Sequence, residues 1–194
     1  GMGEPMHNLE NLLPALELLS APGAFGLGAR HITVSTSGVV AGIRALADCG
    51  RAWNLAISLH ATSDEQRSRI IPPQYRCPIA DILSACEYFR KRTNRMPTLE
   101  YALLAGINDR AEDATQLAHL ARQFHAKVNL IPCNDGTARY QAPTPAHCRQ
   151  FLELLLRFGT QATLRLRKGG SIQAACGQLR QQNQPPAQGS HSPS

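Results

Sequence analysis

No apolar run in this 194-residue chain approaches the roughly 20 residues that a membrane-spanning helix needs, because charge or proline interrupts each one. No positively charged leader precedes an apolar stretch, so the expectation is a protein without an export signal. The six cysteines, Cys49, Cys77, Cys86, Cys133, Cys148 and Cys176, contain no CxxC pair, no zinc-ligand spacing and no compact framework of the small secreted kind. These absences together predict reduced thiols and a cytoplasmic location. GxGxxG and Walker loops are also missing, which leaves the usual dinucleotide and triphosphate readings without support. From Gln181 onward no aliphatic residue is larger than alanine, and residues 181–194 are expected to form a disordered tail.

A hydrophobic fraction of 43% over this length is enough for one sizeable core. The hydrophobic period switches repeatedly between 2 and 3.6, which signals alternating strands and helices. Strands are predicted at 31–35, 54–59, 98–104, 127–132 and 161–167. Helices are predicted at 8–19, 39–49, 78–92, 111–124 and 148–158. The connections are too long for hairpins, so the strands should be parallel with right-handed crossovers, in either an open doubly wound sheet or a barrel. Residues 1–180 are read as one unit with no internal linker.

A net charge of +6 favours a polyanionic partner. The charge is uneven: between Arg149 and Arg180 six basic residues face one acid, Glu153. Phosphate contacts are expected there, although a solvated basic face explains the charge equally well.

Ligands of parallel α/β proteins bind where the carboxyl ends of the strands converge. The residues expected on that rim are Gly3 and Glu4 in the opening turn, then Ser35, Thr36 and Ser37, then Ser58 and His60, then Asn134, and finally Cys176. Each also has an ordinary structural explanation. Gly3 can simply supply a turn, Glu4 suits a helix start, and the Ser-Thr-Ser run can cap a helix. His60 can bond a loop carbonyl, Asn134 can be a turn residue and Cys176 a buried packing thiol. On one rim they would form a polar pocket for a nucleotide-like or amino-acid-like molecule.

The ordered segments GMGEP, ITVSTSGVV, LAISLHA, EYALLAGIND, VNLIPCN and IQAACGQL resemble the RlmN/Cfr family of radical S-adenosylmethionine enzymes, which methylate C2 of an adenosine in RNA. The similarity runs from Gly1 to about Leu179. It implies the later βα units of a radical SAM partial barrel, with parallel strands and outer helices. The resemblance implies S-adenosylmethionine contacts from Gly3, Glu4, Ser35, Ser58, Leu59, His60 and Asn134. It implies that Cys176 carries the methyl group that is converted to a radical and added to the base. It implies 23S ribosomal RNA as substrate, with transfer RNA open as a second, and a monomer served by a reducing system. Arg165, Arg167 and Lys168 become candidates for RNA backbone contacts.

The family's [4Fe-4S] cluster needs a C-x3-C-x2-C run, and none occurs in this sequence. The chain therefore contains no cluster ligands, and the expectation is a carboxyl-terminal portion that is inactive alone. Ser171 and Gln173 stand where the family commonly has acids, and Cys133 and Asp135 replace its usual aromatic residue and proline. Two other readings remain: an RNA- or S-adenosylmethionine-binding protein without catalysis, and an unrelated barrel enzyme using Cys176 as nucleophile with His60 as base.

Overall fold

The computed structural model describes residues 3–133 and 140–165. Asn134, Arg167, Lys168, Cys176 and the tail expected at 181–194 lie outside the described residues. A one-turn helix, Pro5–Asn8, leads into α1 (Leu9–Ser20). Then come β1 (Thr33–Thr36), α2 (Val40–Asp48), β2 (Asn54–Ser58), α3 (Asp64–Ile70) and α4 (Ile79–Thr93). The chain continues through β3 (Thr98–Leu103), α5 (Ala111–Gln123), β4 (Lys127–Pro132), α6 (Pro145–Arg157) and β5 (Ala162–Leu164).

All four strand pairings are parallel, and the spatial order β1-β2-β3-β4-β5 is the sequence order. Right-handed crossovers between successive neighbours put every connecting helix on the same face, whereas a doubly wound sheet must reverse direction somewhere. The sequence had left both open; the order selects the singly wound, barrel type. The sheet is not closed.

Alternation along the strands sorts the two faces. Leu55, Ile57, Leu99, Tyr101, Leu103, Val128 and Leu130 are buried beneath the helices, against Ile43, Leu46, Leu83, Phe89, Leu117 and Leu155. Tyr101 stacks on Phe151 of α6 with ring centroids 5.8 Å apart. The opposite face is polar. Strand register aligns Ser58 with Glu100, Glu100 with Asn129, and Asn129 with Thr163, forming one row across four strands. Asn129 donates to Glu100 Oε2 at 2.8 Å, and Thr163 donates to Asn129 Oδ1 at 3.1 Å. A face of this composition belongs inside a barrel that holds a polar ligand, not in a dry core.

All five strands appear where the hydrophobic period places them. Two differences concern extent: β5 is only three residues long, and α6 begins at Pro145, capped by Thr144 Oγ1 accepting from the His147 N–H at 3.2 Å. The third is a helix that periodicity did not reveal, α3. Ser63 caps it by accepting from the Gln66 N–H at 3.2 Å, while the Gln66 side chain accepts from the Thr62 N–H at 3.0 Å. This reciprocal pairing is a capping box shifted by one residue.

Candidate S-adenosylmethionine site

The carboxyl end of β1 is tied to a carboxylate from the opening turn. Gly3 has φ +107°, a region open to glycine, and a Cβ there would meet nothing within 4 Å. The turn it makes aims Glu4 back toward β1. Glu4 Oε2 accepts from both the backbone N–H and the hydroxyl of Ser37, each at 2.7 Å, and Oε1 accepts from the Met6 N–H at 3.1 Å. The opening turn is anchored further by Met6, which is buried with its side chain against Gly42, and by His7, which stacks on Tyr75 at 5.9 Å.

The Ser-Thr-Ser run divides its work. Thr36 Oγ1 accepts from the N–H groups of Gly38 and Val39 at 3.1 and 3.3 Å, which shapes the turn before α2; the helix itself has Val39 at its N-cap and no side-chain cap, so the capping explanation fails. Ser37 serves Glu4. Ser35 is exposed on the polar face, and Ser58 is partly exposed on the same face of the next strand. Among the described residues neither the Ser35 nor the Ser58 hydroxyl has a hydrogen-bond partner, so both are free for a ligand.

After Ser58 the chain turns. The Leu59 side chain is fully buried, so any ligand contact it makes must come from its main chain. His60 has φ +58°, and its Nδ1 accepts from the Ala102 N–H at 3.0 Å. Nδ1 thus serves as a hydrogen-bond acceptor for the backbone. Burial, then the nearby Arg67 cation, lowers its pKa to about 4, although part of the ring remains accessible. A neutral imidazole with one nitrogen occupied is a weak base, which argues against a Cys-His nucleophile pair.

Three residues important to this rim were not singled out by the sequence. Asn108, fully buried, donates to the carbonyls of His60 (2.8 Å) and Ala102 (2.7 Å) and accepts from the Leu104 N–H (2.7 Å). It locks the His60 turn onto the end of β3. Glu100 is half-buried, and burial raises its pKa, while Asn129 and Arg165 act in the opposite sense. Arg165 is exposed, and its charge favours the ionised form of Glu100. The third is Arg67, 2% exposed on α3. A serine followed three residues later by glutamine was the available signal for α3; the other two depend on distant partners.

A hollow of about 460 Å³, lined by Thr33, Asn54, Arg95, Thr98, Glu100 and Lys127, opens at the other end of the strands. Thr33, Asn54, Thr98 and Lys127 begin their strands, so the hollow is the floor of the polar face, reaching up to Glu100, and not its ligand-binding rim. Among the described residues no cluster of His, Cys, Asp or Glu could hold a metal ion, and no helix is long and apolar enough to cross a membrane.

A singly wound, open parallel sheet with flanking helices is a fold that this chain shares with solved radical S-adenosylmethionine enzymes. The crystal structure of a radical SAM methyltransferase from Sphaerobacter thermophilus matches with TM-score 0.85 and 40% identity, over 92% of this chain and 52% of that one. A domain of pyruvate-formate lyase-activating enzyme from Bacteroides vulgatus matches at TM-score 0.66 and 17% identity, a likeness of fold alone. No family model matches the chain.

Curated relatives specify the branch. A probable dual-specificity RNA methyltransferase RlmN from Akkermansia muciniphila is 44% identical over 182 residues, 93% of this chain and 50% of that protein. A ribosomal RNA large subunit methyltransferase N from Nitrosopumilus maritimus is 41% identical over 180 residues, 93% of this chain and 51% of that protein. The chain belongs to the RlmN family. It spans about half the length of the curated relatives it matches.

Proposed function

We propose that this chain supplies the part of a radical RNA methyltransferase that holds S-adenosylmethionine and presents the methyl-carrying cysteine. The reaction is methylation of C2 of an adenine in RNA: 23S ribosomal RNA, with transfer RNA as a second substrate to be tested. Residues 1–180 act as one barrel unit in a monomer, and a reducing system serves the cluster.

The observation that carries this reading is the fixed Glu4 carboxylate. A carboxylate offers about four lone-pair positions. Ser37 fills two on Oε2 and Met6 one on Oε1, so one position on Oε1 remains for an ammonium group. The open space at Gly3 admits the amino-acid end of the ligand, and the free hydroxyls of Ser35 and Ser58 suit its carboxylate and ribose. Leu59 contributes its main chain, His60 the partly accessible imidazole, and Asn134 completes the set by the family resemblance.

S-adenosylmethionine supplies the methyl group and, with a reduced iron-sulfur cluster, the radical that an electron-poor aromatic carbon requires. The chain's own residues orient the ligand, and Cys176 receives the methyl group and carries it toward the base. Arg165, Arg167 and Lys168 hold the RNA backbone. The cluster ligands belong to the part of the family's length that this chain does not span.

The test pairs the chain with the cluster-bearing half of an RlmN relative, S-adenosylmethionine, reductant and 23S RNA. Methylation should need both halves and be lost in Cys176→Ala. Methylation by this chain alone, or undiminished methylation by the Cys176→Ala variant, contradicts the proposal.

A further inference from the structure

Among the described residues, the most deeply buried charged side chain lies next to the candidate site and forms no ion pair. Arg67 is 2% exposed, and among the described residues it makes no ion pair, the Asp64 carboxylate acting on it only from a distance. Its guanidinium donates to the Cys77 carbonyl at 3.1 Å and to the Ser37 carbonyl, while Nε is buried without a partner. Burial lowers its pKa. Taking a cation out of water without an opposite charge is costly, and an apolar side chain of similar length would fill the space without that cost.

The Ser37 carbonyl belongs to the same peptide unit as the Gly38 N–H, which donates to Thr36 Oγ1 at 3.1 Å. Arg67 therefore grips one side of this unit and Thr36 the other. Gly38 has φ +113°, in a region where glycine permits the preceding peptide to rotate readily. On the near side of the same residue, the Ser37 N–H and hydroxyl hold Glu4 Oε2. A flipped 37–38 peptide would disturb Ser37 and release the carboxylate.

We infer that Arg67 is a positioning residue that fixes Glu4 through Ser37. It spends a buried charge to keep the 37–38 peptide in the orientation that presents two donors to one carboxylate oxygen. It also ties the β1 rim to the segment joining α3 and α4, so the two rim loops keep a common register. The consequence for ligand binding rests on the reading of Glu4 as an S-adenosylmethionine contact; the positioning itself does not.

The test is amide hydrogen exchange by NMR on the 194-residue chain, with S-adenosylmethionine titrated into the same samples. In Arg67→Met the Ser37 amide should exchange at least ~10-fold faster while β2 and β3 amides keep their protection, since the lost contact is local. Arg67→Lys, able to reach one carbonyl but not both, should fall between. It decides the matter alone if the Met variant does not fold: faster Ser37 exchange supports the inference. Wild-type protection of Ser37 in the folded variants overturns it, whatever happens to ligand binding. If Ser37 loosens but Glu4→Gln binds S-adenosylmethionine as wild type does, the positioning stands and the Glu4 contact fails.

Discussion

Ser37 gives both its backbone N–H and its hydroxyl to a single oxygen of the Glu4 carboxylate, each at 2.7 Å, across 33 positions of sequence. The opening turn is thereby fastened to the end of β1 by charge-assisted bonds, which are stronger than neutral ones. Ser37→Ala removes one of the three donors to Glu4 and leaves the other two. We expect a loss of about 1–2 kcal/mol in urea denaturation. Glu4→Ala, which strands the Ser37 and Met6 N–H groups, should cost at least as much.

Asn108 makes three hydrogen bonds from a fully buried side chain. Asn108→Ala leaves two carbonyls and one N–H without partners, at a cost of about 2–4 kcal/mol. The accompanying sign is local: the His60–Ala102 bond at 3.0 Å should weaken, seen as faster exchange of the Ala102 amide.

His60 makes stability depend on pH in a defined window. An unfolded histidine takes its proton near 6.5, whereas the folded residue does so near 4. The folded state thus binds fewer protons between these values. The advantage of neutral His60 is complete above pH 6.5 and is lost as pH falls toward 4. His60→Asn keeps an acceptor for the Ala102 N–H and tolerates the left-handed backbone. Stability curves of the two proteins should diverge across this window by on the order of 2 kcal/mol, the variant losing less.

Glu100 acts in the opposite direction. Its raised pKa means that the folded state holds its proton more tightly than the unfolded one, so its ionisation destabilises the fold as pH rises above about 4.5. Glu100→Gln keeps an oxygen for Asn129 and removes that charge. We expect a higher Tm for the variant at pH 7 and convergence with wild type in acid.

Much of the fold is legible in the sequence because five strands and most helices carry their own periodicity. Val34, Leu55, Leu99, Val128 and their neighbours announce strands without help from the rest of the chain. Helix α3 does not, since its seven residues bury a charged Arg67 where a hydrophobic stripe would be looked for. The candidate site shows the same division. Ser35, Ser58 and His60 are recognisable from their positions at strand ends, and Gly3 and Glu4 from the opening turn and the family resemblance. Their fixings are not, because Glu4 to Ser37, Asn108 to His60 and Arg67 to Ser37 span 33, 48 and 30 positions. Candidate ligand groups stand out in the linear sequence, whereas the buried polar residues that hold them in place do not.

The choice between a doubly wound sheet and a barrel also needed the structure. Both produce alternating strands and helices in sequence, and only the spatial order of the strands separates them. That order puts Ser58, Glu100, Asn129 and Thr163 in one row on the open face.

The most direct measurement is an NMR titration of the chain with S-adenosylmethionine, read at backbone amides. Saturable shifts are expected at Gly3, Glu4, Ser35, Ser37 and Ser58 to His60, all lost in Glu4→Ala. Absence of shifts at these positions, or shifts confined to the opposite end of the strands around Arg95 and Lys127, would contradict it.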